Sequence, residues 1–227
     1  MKQVIQIRCK NNKKSQKVEI GSTLFDIFSA FDLKMTHGPV SARVNNKVEG
    51  MHYRVYNSKD VEFLDMTSSS GSRAYTRTLF FVLCKAVQDI YPATDVVIDI
   101  PVSNGFYVDI RLGRPVVDED VNIIRRRMQE IIDARMPIRR FTVPTEEAVA
   151  LFQEKGDVEK VKLLKTSGSI YTTYYKIGDY VDYYYGTLLT NTSQLYLFGL
   201  EKYYDGMLLR IPSLKNPDVL DPTGQDV

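Results

Sequence analysis

Between Gly178 and Leu188 the chain reads GDYVDYYYGTL, with Tyr180, Asp182 and Tyr184 on one side of an alternation and Val181, Tyr183 and Tyr185 on the other. A period of two with aromatic and β-branched residues specifies a strand with two different faces, and Gly186-Thr187 ends it. Ten of the fifteen tyrosines fall between Tyr171 and Tyr204, so the strand belongs to a tyrosine-rich sheet. Tyrosine carries a large apolar body and one polar tip. With a phenol pKa of about 10 it is a poor general base at neutral pH, so the stretch reads as a half-wet packed sheet or a ligand-binding face.

The rest of the chain places this strand in an α+β fold. Val4, Ile5 and Ile7 predict a strand, Asn11-Asn12 a turn, and Val18 and Ile20 a return strand. Ser22 or Thr23 caps a short helix with Leu24, Ile27, Phe28 and Phe31 on its apolar face. Short strands follow at 40–44, 53–56 and 61–64, a β-grasp order. Thr67–Ser72, TSSSGS, is the best linker in the chain and predicts a hinge open to proteases. Tyr75–Ile90 then carries one apolar stripe, Leu79, Val82, Leu83, Ala86, Val87 and Ile90, and reads as a helix.

Residues 95–111 predict a hairpin turning at Asn104-Gly105, in which Asp99 and Asp109 face each other as exposed strand charges. Asp118 caps a helix over 119–134. Its run Arg125-Arg126-Arg127 spans most of a turn and gives a solvated face, not one pocket. A strand at 138–143, helices at 145–154 and 158–164, and strands at 169–177, 180–185, 194–198 and 207–211 complete the order. Two domains result, 1–66 and 73–211, joined by a linker at 67–72, with a polar tail over 212–227 expected to be disordered or to continue into a further domain.

Composition excludes several classes. At 227 residues the chain can bury one or two cores. No apolar run of about eighteen residues exists to span a membrane, and MKQVIQIRCK lacks a signal-peptide core. Cys9 and Cys84 are far apart with no CxxC, the pattern of reduced cytoplasmic thiols. The net charge of +2 divides into +4 over 1–66 and −2 over 67–227. Lys10, Lys13, Lys14 and Lys17 form a basic patch, either a lysine-guarded hairpin edge or a phosphate-contacting surface. No GxxxxGK[ST], GxGxxG or Ser/His/Asp arrangement is present.

The stretches AVQDIYP (86–92), NGFYVDI (104–110), DEDVNIIRRRMQEIIDARMPIRR (118–140), VPTEEAVALF (143–152) and GDYVDYYYG (178–186) together resemble the editing domain of threonyl-tRNA synthetases, also called the threonyl/alanyl-tRNA synthetase second additional domain. Residues 1–66 resemble the TGS domain that precedes it there. The resemblance implies a metal held by two helix histidines four residues apart and by a Cys and a His after the GDxVD strand. Those positions fall here on Arg77, Phe81, Tyr184 and Leu188, and the only histidines, His37 and His52, lie in the other half. Thiolate and neutral imidazole are what zinc binds, so the expectation is a kept fold without metal and without hydrolysis. The old cleft would then be lined by Arg77, Phe81, Tyr180, Asp182 and Tyr184, either filled or taking a nucleotide.

A TGS domain followed by a histidine-free second domain also resembles the region before the P-loop domain of bacterial uridine kinase-type nucleoside kinases. That resemblance implies a non-catalytic accessory region, with ATP and magnesium confined to a kinase domain of the same chain. The alternatives are a freestanding aminoacyl-tRNA deacylase and a threonyl-tRNA synthetase-related RNA-binding fragment.

Overall fold

The computed structural model describes residues 3–102 and 105–220, without the side chains of Asp99 and Ile100. It is α+β throughout. In the first half, β1 (Val4–Cys9) and β2 (Lys14–Glu19) form an antiparallel hairpin. After β3 (Ser22–Thr23) comes α1 (Leu24–Ala30), then β4 (Ser41–Val44), β5 (Lys47–Glu49), β6 (Arg54–Val55) and β7 (Lys59–Leu64). The sheet order is β2-β1-β7-β4-β5, with β7 parallel to β1 at its centre. This is the arrangement a β-grasp order expects.

Local chemistry explains each turn of that path. The Thr23 hydroxyl accepts from Asp26 N and the Asp26 carboxylate accepts from Thr23 N, a reciprocal cap that starts α1. Asn45 and Asn46 both sit at positive φ, 44° and 73°, which gives the tight β4–β5 turn the twist its strands need. Ile7, Leu24, Ile27, Val61 and Phe63 close a core between α1 and the sheet.

The second half begins earlier than the sequence predicts. Thr67–Ser72 is not a linker: α2 runs Ser69–Ile90, and the Ser68 hydroxyl accepts from Gly71 N as its cap. The small residues serve close packing. A Cβ on Gly71 would stand 1.9 Å from the Asp65 carbonyl oxygen and 2.7 Å from Val40 Cγ2. Serine and glycine runs are favoured both in linkers and where a helix start abuts a strand end, and composition alone does not separate the two.

Two further sheets wrap α2. One has the order β13-β14-β9-β8, from β8 (Val96–Val102), β9 (Gly105–Ile110), β13 (Gly199–Tyr203) and β14 (Gly206–Arg210), with α3 (Asp118–Asp133) beside it. The Asp99–Asp109 pairing lies outside the described residues; along the backbone Asp109 is opposite Val97. The other has the order β10-β11-β12, from β10 (Arg139–Pro144), β11 (Tyr171–Ile177) and β12 (Tyr180–Tyr183). Its outer face carries α4 (Thr145–Glu154) and α5 (Val158–Thr166).

One sequence-based strand and the tail differ. The segment 194–198 is no strand: after a 3-10 turn at Thr192–Gln194 it is held by Tyr75, whose hydroxyl donates to Leu197 O at 2.7 Å and accepts from Tyr196 N and Leu197 N, each at 3.0 Å. A buried phenol thereby replaces a ladder partner. The strand instead falls on 199–203, where the polar residues Glu201 and Lys202 hide the alternation. In the tail, Ser213 N donates to Val219 O at 2.9 Å and Ser213 is buried, so 212–220 folds back onto the protein and is not a free tail.

The halves touch at several places. Val40 packs into the second core, His37 stacks on Tyr196 at 3.6 Å between ring centroids, and Gly50 approaches Thr187. Among the described residues no helix is long and apolar enough to cross a membrane. Because Gly71 has no room for a methyl, Gly71→Ala is expected to cost about 2–3 kcal/mol in urea unfolding, whereas an unstructured linker would tolerate it with no change in midpoint.

Candidate functional site

The alternation of 178–188 is kept and divides the two faces of β12. Tyr180 and Tyr184 pack on the large core around α2, while Val181 and Tyr183 pack with Phe152 and Leu164 under α4 and α5. Asp182 lies on the α2 side and is 5 % exposed. Five residues anticipated as one cleft therefore do converge, but as packing more than as a lined space. Phe81 is fully buried, with its ring 5.1 Å from Tyr180 and 5.8 Å from Tyr184. Leu188 is buried in the same core.

Arg77 stands at the edge of this cluster. Its Nη1 donates to Thr187 O at 3.5 Å, and its guanidinium lies against Gly186, where a Cβ would meet Cζ at 2.7 Å. Gly186 has φ +112°, so glycine is needed there for backbone as well as for space. Burial pulls the Arg77 pKa down, and the like charge of Arg73 adds to it. No carboxylate lies within ion-pair distance of Arg77 among the described residues.

Two members escaped the sequence. Lys160 Nζ reaches Asp182 Oδ1 at 2.8 Å and Asp157 Oδ2 at 2.9 Å. Asp157 also caps α5, accepting from Lys160 N at 3.0 Å, which aims the first turn of the helix at β12. Burial lowers the Lys160 pKa, but Asp182 and Asp157 outweigh it and the net shift is upward. A lysine in the first turn of a helix opposes the helix dipole, so a D-x-x-K start hints at a carboxylate waiting nearby. Cys84 is the second: it keeps some exposure, yet burial of its sulfur, with Asp182 next, pushes its thiol up to about 12. Tyr180 completes the group by donating to Asp182 Oδ2 at 2.9 Å, and burial raises the pKa values of Tyr180 and Tyr184 well above the ordinary phenol.

A metal does not fit this set. A guanidinium, a phenyl ring, a phenol whose proton is held on by burial and an alkyl chain offer no thiolate or imidazole. The fixed charge of Arg77 would also repel a cation. Among the described residues no group of three or more His, Cys, Asp or Glu side chains is placed to hold one.

The basic patch is dispersed by the hairpin. Lys10 and Lys13 sit in the turn, and Lys14 and Lys17 are on opposite faces of β2, since Val18 on the Lys14 side is buried. Register puts Lys17 opposite Gln6 and Ser15 opposite Arg8, so the outward basic face is Arg8 with Lys17. Arg8 was invisible to a search for a lysine run because cross-strand register, not sequence proximity, brings it there.

The chain is similar to curated threonine–tRNA ligases. It is 30 % identical to that of Clostridium kluyveri over 193 residues, 84 % of this chain and 30 % of the relative. For Syntrophotalea carbinolica the identity is 30 % over 204 residues, 85 % of this chain and 32 % of the relative. For Acetivibrio thermocellus it is 29 % over 181 residues, 79 % and 28 %. The chain thus spans about 30 % of the length of the curated relatives it matches. No family model matches it. Over about four fifths of its length the chain is similar to one part of these threonine–tRNA ligases.

Two outcomes follow from the site. Lys160→Met leaves the Asp182 carboxylate buried without its cation and is expected to cost about 2–3 kcal/mol in denaturant unfolding, with Asp182→Asn in the same chain returning part of it. Metal analysis of the purified chain should give zinc well below one equivalent; stoichiometric zinc that survives dialysis would contradict the donor argument.

Proposed function

We propose that this chain is a non-catalytic RNA-binding region of threonyl-tRNA synthetase type, whose editing-like cleft has been converted to packing. The observation that carries this reading is the similarity to threonine–tRNA ligases over about four fifths of the chain. The names of those relatives place tRNA as the ligand to test. The side chains narrow the reading further. Phe81, Tyr184 and Leu188 fill space where a metal and substrate would need it, and Arg77 offers a positive charge in place of a Lewis acid. On this reading Arg8, Lys10, Lys13 and Lys17 supply exposed charge for phosphates.

One observation favours a second reading. Asp182 and Lys160 form a buried acid–base pair, a group that a metal-free aminoacyl-tRNA deacylase could use. The finer alternative, an accessory region of a nucleoside kinase, rests on the histidine-free second half alone, and the relatives above favour the synthetase-type reading over it.

The test is titration of fluorescent tRNA into the whole chain. Saturable binding that weakens with salt is expected, and Arg8→Glu with Lys17→Glu should lower the steepness of that salt dependence by about 2. Absence of tRNA binding at low salt would overturn the proposal. Release of amino acid from charged tRNA, lost in Asp182→Ala, would replace it with the deacylase.

A further inference from the structure

A second concave site lies on the other side of the 184–187 loop, between the two halves. It encloses about 290 Å³ and is lined from the first half by Lys47 and Glu49, and from the second by Arg140, Thr172, Thr173 and Tyr185 among others. This volume is at the small end of ligand pockets. Unlike the packed cluster around Phe81, its lining is mainly polar and charged.

The charges in it are unevenly spent. The Glu49 side chain is only 7 % exposed and receives Lys47 Nζ at 3.0 Å. Arg140 Nη1 is 4.0 Å from the same carboxylate, too far for a hydrogen bond, and the Arg140 fork donates to no acceptor among the described hydrogen bonds. Arg140 sits on β10 with its Cα opposite Tyr175, whose hydroxyl donates to Gly186 O at 2.8 Å and so fixes the loop that forms the pocket wall. Behind that wall stands Arg77, a guanidinium with no carboxylate within ion-pair distance among the described residues. Two cations at the pocket with one shared anion, and a third cation behind, leave the site net positive.

The remaining wall is hydroxyl and aromatic. Thr173, on the Arg140 face of the sheet, has its hydroxyl tied at 2.9 Å to Thr142, so its position is fixed, whereas the buried Thr172 turns its hydroxyl to Thr145 on the α4 side. Tyr185 is 89 % exposed, and Tyr171 64 %, at the pocket's rim. A bare phenol ring beside an unspent guanidinium suits a planar base above a phosphate.

We propose that the junction pocket is a binding site for one nucleoside monophosphate unit, its phosphate held by Arg140 and Lys47, its sugar against Thr173, and its base on Tyr185. Because Lys47 belongs to the first half and Arg140 to the second, the ligand clamps the halves together. The site is separate from the Arg8–Lys17 face, and the proposal does not depend on RNA binding there.

The probe is 5′-AMP, with inorganic phosphate as the minimal fragment, titrated into the whole chain by calorimetry. AMP is expected to bind more tightly than phosphate. Arg140→Gln should weaken AMP at least about tenfold, as loss of a charged fork on phosphate does, while Arg126→Gln on α3 should leave it unchanged. Amide exchange should slow at 47–50 and 183–187 together when AMP is added. Arg140 is half exposed on an edge strand, so the variant is expected to fold, and its unfolding midpoint is measured alongside. If a short single-stranded RNA displaces AMP and is itself weakened by Arg140→Gln, the unit is the end of an RNA. If AMP alone is lost in the variant and RNA binding is intact, it is a free nucleotide. No AMP binding to the wild type, or binding indifferent to Arg140→Gln, overturns the proposal.

Discussion

The burial of α2 is the constraint from which the rest of the structure follows. A 22-residue helix that meets β4 at its first turn and two sheets further on has almost no solvent face. Val40 presses on Gly71, Tyr75 captures the 196–197 backbone, and Phe81 and Leu83 sit in the central core. A helix buried on nearly every side, with Thr76, Thr78 and Lys85 enclosed along with its apolar stripe, must have elements packed all around it. The chain meets this by wrapping it with the β9–β14 sheet on one side and the β10–β12 sheet on another. The halves are then held in register by the helix itself, and the small residues at its start allow its close approach to Asp65.

Enclosure of α2 also decides the electrochemistry of the β12 face. With Phe81 against Tyr180 and Tyr184, the carboxylate of Asp182 is left in a dry environment and needs its own counterion. Lys160 supplies it from α5, and Tyr180 donates to the remaining oxygen. A buried pair of this kind contributes little net stability compared with an apolar replacement, yet removal of one partner is costly. Its value lies in position: it pins α5, and with it the outer layer of α4 and α5, onto the third strand of a sheet that is otherwise held mainly by tyrosines.

Much of this was legible in the residues. Alternation at 178–188 correctly separated the core face from the α4/α5 face, because a period of two is a property of the strand and does not depend on partners. The capped α1 and the β4–β5 turn followed from local chemistry in the same way, and so did α3, except that Asp118 is its first residue and not its cap: Val117 is the N-cap, its N–H donating to Asp120 Oδ2. What the residues concealed was contact across long separations. Tyr75 and Leu197 are 122 positions apart, so a segment saturated by one hydroxyl resembled a strand. Lys160 and Arg140 are ordinary charges in sequence and acquire meaning only where α5 and β10 deliver them. The run TSSSGS misled because the same residues satisfy a flexible joint and a tight helix start.

Arg77 shows how one substitution of chemistry propagates. A metal ion between a helix and a loop neutralises and orders several donors at once, whereas a guanidinium brings charge to be satisfied and only donors to satisfy it. Here it leans on the Thr187 carbonyl and the open face of Gly186, and Arg73 one turn earlier raises the cost of its charge. A loop held by a cation's donors points its carbonyl oxygens inward, toward α2. That leaves the outer side of 184–187, with Tyr185 and the Thr187 side chain, facing Lys47 and Gly50 of the first half. The Arg77 donors and the polar pocket thus lie on opposite sides of one loop, so a change in how the loop is held on its inside would reach the pocket on its outside.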